Sequence, residues 1–315
     1  MTPILTITLN PALDVSTSVP EVVPETKLRC AAPLIDPGGG GVNVARAIAH
    51  LGGRASALVA LGGHNGARLR ALLHLEGIDV VPFDTPGETR QSLAVTDESQ
   101  GVQYRFVLPG PVWDDTLLAR FRTRLSGSVP TGGLVVLSGS QPPGVPDTFP
   151  QTVARAVEMH EARLLVDTSG PSLMRLRQGG LGAHHILRLD GAESELLAGV
   201  PLPDRAALTG FAQSLVDDGV AGMVILAMGP KGSVLVSGKG AWHAVTPLVP
   251  VRSKVGAGDS FVGAFCLALS RQQSLPQALS MGVAAASAAV MSDGTALCLR
   301  DDVEELLGQV TLTQL

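Results

Sequence analysis

Short apolar runs recur along this chain and alternate with longer stretches whose apolar positions come round every three or four residues. Leu134–Leu137, Arg163–Val166, His185–Leu189 and Met223–Leu226 are continuous enough to be strands buried on both faces. Between them, Pro146–His160 and Asp204–Asp218 have the period of amphipathic helices. This alternation predicts right-handed βαβ units and an α/β fold, a doubly wound, mostly parallel sheet flanked by helices. Ligands of such sheets collect at the carboxyl ends of the strands. The last part of the chain reads as helical, over Asp259–Arg271, Leu275–Met291 and Asp301–Leu307.

Two segments depart from that rhythm. Val15–Ile35 and Thr89–Leu108 alternate polar and apolar residues, as in Ser92-Leu93-Ala94-Val95-Thr96, with no helix between their strands. They predict a small β-sheet lid, inserted from about 15–35 and 89–108 into a single domain spanning 1–315. The alternative is a plain antiparallel extension of the main sheet with no gating role.

Composition narrows the function classes. With 315 residues, 45% of them hydrophobic, the chain can bury a sizeable core. A net charge of −5 gives no basic footprint for nucleic acid. The apolar stretches around Phe261–Leu269 and Gly282–Met291 are too short to span a bilayer. Met1-Thr2-Pro3-Ile4-Leu5 shows no basic leader, and Cys30, Cys266 and Cys298 lie too far apart for a metal motif. Free thiols in a reducing cytoplasm are the expectation.

Five motifs carry chemistry. The sharpest is Gly256-Ala257-Gly258-Asp259-Ser260-Phe261-Val262-Gly263, where a glycine turn runs into an apolar helical pattern. Amides at that helix start would meet an anion, and Asp259 beside them could accept a proton from an attacking hydroxyl. Equally, Asp259 could simply cap the helix. The stretch lacks the closing glycine of a serine-hydrolase elbow. Second, Gly38-Gly39-Gly40-Gly41-Val42-Asn43 precedes a short helix ending at Gly52-Gly53, and the glycines suggest close approach of a ligand. Asn43 stands where a dinucleotide fingerprint needs its third glycine, which disfavours a dehydrogenase. Third, Lys27, Arg29, Arg90 and Arg105 all lie in the two lid segments and are either suited to phosphate or simply solvated surface cations. Fourth, Asp190 and Glu193 follow a strand and could hold Mg²⁺ directly or through water, or enrich a helix start. Fifth, Met228-Gly229-Pro230-Lys231-Gly232-Ser233 could turn against a nucleotide or be an ordinary hairpin turn.

Together these residues resemble the ribokinase-like (PfkB) family of carbohydrate kinases. The two family signatures stand in order, Gly38–Gly53 and Gly256-Ala257-Gly258-Asp259. Asn10-Pro11-Ala12-Leu13-Asp14, Lys27-Leu28-Arg29 and Ser138-Gly139-Ser140-Gln141-Pro142-Pro143-Gly144 narrow the resemblance to the phosphofructokinase branch. Within it, Arg29-Cys30, Ala45–Gly53 and Tyr104-Arg105-Phe106 are most similar to the minor bacterial 6-phosphofructokinase group.

The resemblance implies transfer of phosphate from ATP to fructose 6-phosphate with Mg²⁺, and alternatively a tagatose-6-phosphate kinase or 1-phosphofructokinase. Outside the enzymes, it leaves open a weakly active sensor of sugar phosphate or ATP. It implies Asp259 as base and Gly256, Ala257 and Gly258 as the anion hole. Asp14, Gly39, Gly40, Asn43 and Ser140 would hold the sugar, and Lys27, Arg29, Arg90 and Arg105 its phosphate. Arg188, Asp190, Ala227, Gly229, Pro230, Lys231 and Gly232 would border the nucleotide, with Glu193 reaching Mg²⁺ through water. Ser253, Val255, Ser292 and Gly294 would form a K⁺ site, and the lid would join a homodimer. Two departures stand out: Arg188-Leu189-Asp190 where the family has Lys-Pro-Asn, and Ser292-Asp293-Gly294-Thr295-Ala296 where close relatives have Asn-Gln-Gly-Thr-Arg.

Overall fold

A computed structural model describes residues 1–292 and 296–315. The strands are β1 (Ile4–Thr8), β2 (Ala12–Val19), β3 (Leu34–Gly38), β4 (Ser56–Leu61), β5 (Asp79–Asp84), β6 (Arg90–Asp97) and β7 (Val102–Val107). They continue as β8 (Leu134–Ser138), β9 (Arg163–Asp167), β10 (Gly182–Leu189), β11 (Ala221–Ala227), β12 (Ser233–Ser237), β13 (Gly240–Val245) and β14 (Thr311–Gln314). The helices are α1 (Gly40–His50), α2 (Gly63–Leu75), α3 (Asp115–Ser126), α4 (Phe149–Glu158) and α5 (Pro171–Leu176). After them come α6 (Gly191–Ala198), α7 (Arg205–Asp217), α8 (Ala257–Ser270), α9 (Leu275–Val290) and α10 (Arg300–Leu307).

The large sheet has the order β14-β13-β12-β11-β10-β9-β8-β1-β4-β5. From β5 to β11 every pairing is parallel, and the three remaining strands add antiparallel at one edge. Alternate residues of each buried strand feed opposite cores, as a period of two requires. Val135, Leu137, Val224 and Leu226 face α3, α4 and α7, while Leu134, Val136, Met223 and Ile225 face α1, α8 and α9. On the first face Phe83, Trp113, Phe121 and Phe149 form a cluster of tilted and edge-on rings with centroids 5.0–5.9 Å apart. Among the described residues, no helix is long and apolar enough to cross a membrane.

The chain leaves β1 on one side for β4 and β5, then returns to the other side with β8. Strand order therefore reverses between β1 and β8, and a crevice opens beyond their carboxyl ends. Above it stands the separate four-stranded sheet β3-β2-β6-β7. Against the expected Val15–Ile35, β2 begins earlier, at Ala12, β3 starts only at Leu34 and runs on to Gly38, and residues 20–33 are a connection rather than strand. The sequence reading also missed β14, a short strand of exposed residues after the last helix.

Candidate active site

The glycine run before α1 belongs to the crevice floor. A side chain on Gly40 would strike Ser138 and Gly139 of the β8 end, and one on Gly41 would strike the Ile7 carbonyl in β1. Gly39 has φ +114°, a conformation that side chains disfavour, and opens the helix as its N-cap. These glycines let α1 seat on the backbone at the reversal point. The sequence reading, which assigned them to ligand approach, missed this packing reason.

Seated there, α1 aims Asn43 across to α8. Nδ2 of Asn43 donates to Oδ2 of Asp259 at 2.9 Å. The two helices approach closely because of Gly263, where a Cβ would lie 2.9 Å from that of Ala47. Asp259 stands in the first turn of α8, yet no side chain caps this helix. The capping role weighed from sequence is not the one Asp259 plays. Gly256, in the left-handed region at φ +77°, turns the chain so that Ala257, Gly258 and Asp259 lead the helix. Their amides have no intrahelical acceptors and carry the positive end of the helix dipole.

Arg188, at the end of β10, lies across this helix start. A Cβ on Gly258 would come within 3.0–3.3 Å of its guanidinium. Nη1 of Arg188 pairs with Oδ1 of Asp167 at 3.1 Å, and both side chains are nearly buried. Asp167 went unremarked in the sequence, although it directly follows the apolar run Arg163–Val166. A carboxylate at the carboxyl end of a buried strand was the available signal. Burial pushes the Asp259 carboxyl up to about 7, helped by the charge of Asp167 and opposed by the Asn43 amide and Arg188.

After β10, Asp190 and Glu193 form a reciprocal capping box on α6. Oδ1 of Asp190 accepts from the Glu193 amide at 2.8 Å, and Oε2 of Glu193 accepts from the Asp190 amide at 2.9 Å. The helix-start role weighed for this acid pair is thus real. Each carboxylate keeps a second oxygen outside the box. Burial, with the charges of Asp167 and Asp190, raises Glu193 to about 7 against the Asp190 amide and Arg188. Among the described residues, no three acid, His or Cys side chains converge as a metal cage. That donor set fits Mg²⁺ held through water and phosphate oxygens.

On the other side of Asp259 lies the four-stranded sheet expected to act as the lid. Its inner face carries Asp14, Ser16, Ser92, Ala94, Gln103 and Arg105, which line a small cavity with Val255. Asp14 stands over Gly38, and burial raises its carboxyl to about 6 while Arg90 and Arg105 pull it down. Arg90 is tied by Nε to the Asn10 carbonyl at 3.1 Å and by Nη1 to that of Leu108 at 3.4 Å. Ser140, past β8, accepts from Nδ2 of Asn10 at 3.1 Å. Lys27 and Arg29 sit on the exposed connection between β2 and β3, outside this bonded group.

Gly229, Pro230 and Lys231 form a single 3₁₀ turn, closed by Gly232, joining Ala227 of β11 to antiparallel β12. It is a hairpin connection, pinned where Nε2 of His243 meets the Lys231 carbonyl at 2.7 Å. Near the α8 start, the Val255 amide donates to Oγ of Ser253 at 3.2 Å, and Oγ of Ser292 to the Leu297 carbonyl at 3.5 Å. Gly294, the fourth member of the expected K⁺ site, lies outside the described residues. A cleft of about 980 Å³ opens at the opposite, amino-terminal edge of the sheet, far from these groups.

The profile of the "pfkB family carbohydrate kinase" matches residues 7–302. The ATP-dependent 6-phosphofructokinase isozyme 2 of Escherichia coli is 39% identical over 306 residues, 97% of this chain and 98% of that protein. A crystal structure of phosphofructokinase-2 from Escherichia coli in complex with potassium superposes with TM-score 0.91 and 38% identity, covering 98% of this chain and 99% of that one. The 1-phosphofructokinase of Xanthomonas campestris is 33% identical over 267 residues, 84% of this chain and 83% of that protein.

Proposed function

The chain belongs to the pfkB family of carbohydrate kinases, and from that premise we propose that it transfers the γ-phosphoryl group of ATP to fructose 6-phosphate, giving fructose 1,6-bisphosphate. One observation carries the reading: Asp259 lies between two separate cationic places. On one side are the α8 amides and Arg188, where a migrating phosphoryl group would be held. On the other are Arg90 and Arg105 beside Asp14, where a phosphate already on the acceptor would sit. A kinase of free sugars has no need of the second.

In the proposed reaction Asp14, Asn43, Ser140 and the backbone at Gly39 and Gly40 hold the sugar. Asp259 takes the proton of the acceptor hydroxyl as its oxygen bonds to the γ-phosphorus, and ADP departs with the bridging oxygen. The amides of Gly256–Gly258 and the Arg188 guanidinium receive the charge on the transferring group. Asp167 keeps Arg188 turned to that place before ATP arrives. Bound with ATP, Mg²⁺ would neutralise phosphate charge, with Glu193 holding its water shell and Asp190 adding a charge that the metal must offset. Ala227 and the Gly229–Gly232 turn border the nucleotide. Ser253, Val255 and Ser292, with Gly294, are the proposed K⁺ ligands, a reading favoured by the potassium complex of the similar Escherichia coli protein.

Lys27 and Arg29 are proposed to complete the phosphate site when the lid closes or a second copy contributes. The lid's outer face bears Leu93, Tyr104 and Phe106, which are 38–54% exposed, and this supports a homodimer formed through that face. ATP chemistry and three free cysteines suit a reducing cytoplasm. The test is a panel of fructose 6-phosphate, tagatose 6-phosphate, fructose 1-phosphate and fructose with ATP. Fructose 6-phosphate should give the highest kcat/KM. Preference for fructose 1-phosphate would favour the second reading, to which the 1-phosphofructokinase likeness lends weight.

A further inference from the structure

The lid's strand β6 is not simply continued from the loop before it. Its two preceding residues, Glu88 and Thr89, dock on the first turn of α2. The helix begins at Gly63 after Gly62, which has no side chain with which to cap it. Glu88 supplies the cap from outside: its carboxylate accepts from the His64 amide at 3.1 Å and the Asn65 amide at 3.0 Å. Those bonds hold the Glu88 carboxyl below its usual range.

Thr89 is 3% exposed and is held on three sides. Its amide donates to the Gly62 carbonyl at 2.9 Å, and its Oγ1 accepts from the Gly62 amide at 3.0 Å. Its carbonyl accepts from Nδ2 of Asn65 at 2.9 Å. That carbonyl belongs to the peptide bond whose other end is the Arg90 amide. The plane is rigid, so fixing its oxygen fixes the direction in which Arg90 starts. The Arg90 guanidinium is then steadied by the carbonyls of Asn10 and Leu108, and the rest of its five N–H groups remain for an oxyanion. Gly66 makes the contact close, since a Cβ there would lie 2.9 Å from Oγ1 of Thr89.

We propose that Asn65 is a positioning residue for Arg90: by gripping the Thr89 carbonyl from the start of α2, it aims the lid's guanidinium at the phosphate the acceptor carries. The inference rests on the reading of Arg90 as a phosphate ligand. It adds that the α2 helix sets the aim of that ligand.

Steady-state kinetics on the wild type, Asn65→Ala, Arg90→Ala and the double variant test it. Asn65→Ala should raise KM for fructose 6-phosphate about three- to tenfold, the usual worth of one neutral hydrogen bond. It should leave kcat and KM for ATP near wild type. In the Arg90→Ala background the same substitution should add nothing further, because its effect passes through Arg90. An equal increase in both backgrounds, or a fall in kcat with unchanged KM, would overturn the proposal. If Arg90→Ala leaves KM unchanged, the reading of Arg90 fails and the inference with it. If Arg90→Ala raises KM and Asn65→Ala does not, the inference alone fails. Should Asn65→Ala lose its cooperative thermal transition, Asn65→Asp, equal in size but without the donor, replaces it in the same cycle with the same outcomes.

Discussion

The side-chain amide of Asn43 holds Oδ2 of Asp259 at 2.9 Å, a bond between residues 216 positions apart in the chain. It joins the two family signatures in space and turns the carboxylate of α8 away from its own helix. The price of that placement is a charge kept out of water beside Asp167, with the carboxyl raised to about 7. A raised folded pKa means that the native state binds the proton more tightly than the unfolded chain. Stability is therefore lost as pH rises from the unfolded value of about 4 through about 7. Replacing Asp259 by Asn removes the cost, so Asp259→Asn should raise Tm more at about pH 8 than at about pH 5. Thermal melts at the two pH values check this, and an equal shift at both would contradict it.

The same pKa sets an acidic limb on activity. A base must be ionised to accept the hydroxyl proton, so kcat/KM for the sugar phosphate should fall as pH drops through about 7. Asp14, raised to about 6, should steepen the fall below that point. A profile flat from about pH 8 to about pH 5 would show that neither carboxylate governs the free enzyme.

Arg90 and Arg105 stand beside Asp14 on the lid's inner face. Replacing either by Ala should raise KM for fructose 6-phosphate about ten- to a hundredfold, the worth of a charge-assisted bond. Residual turnover of fructose should change far less. Initial-rate measurements with both sugars decide, and equal losses for the two would remove the arginines from the phosphate site.

Asp190 departs from the family's Asn, and the structure gives it a definite task as the N-cap of α6. Asn caps about as well as Asp, so Asp190→Asn should leave Tm nearly unchanged. Asp190→Ala should cost about 1 kcal/mol. The second oxygen of Asp190 adds charge beside Glu193 and Asp167, so Asp190→Asn should reach half-maximal rate at lower free Mg²⁺. Mg²⁺ titrations at fixed ATP that superimpose would show that this charge does not reach the metal.

The lid's outer face is the expected dimer surface. Phe106, 54% exposed on β7, is paired in register with Leu93 on β6. Phe106→Glu should shift the sedimenting species toward the monomer and weaken substrate binding if a second copy completes the site. An unchanged oligomer would place the interface elsewhere.

Much of this was legible in the sequence because backbone demands leave a mark on residue type. Buried strands of one parallel sheet must be apolar on both faces, and Leu134–Leu137 and Met223–Leu226 are. Gly256 and Gly39 adopt positive φ where other residues are strained, so both signatures stand out as glycine. What stayed hidden was pairing across the chain. Nothing near Asp167 names Arg188 as its partner, and nothing near Asn65 names the Thr89 carbonyl. Nor could spacing tell whether the Gly38–Gly41 run makes room for a ligand or for the ends of β1 and β8. Asp190 was ambiguous for a different reason: the residue types that cap a helix are also those that ligate a metal.

The central claim is that Asp259 is the base of a phosphoryl transfer rather than a structural carboxylate, and Asp259→Asn tests it most directly. Single-turnover transfer from ATP to fructose 6-phosphate should slow by about 10²–10⁴-fold, the range for loss of a general base. ATP binding, measured by calorimetry on the same preparation, should stay close to wild type. Transfer within a few-fold of wild type in a folded variant that still binds ATP would contradict the account.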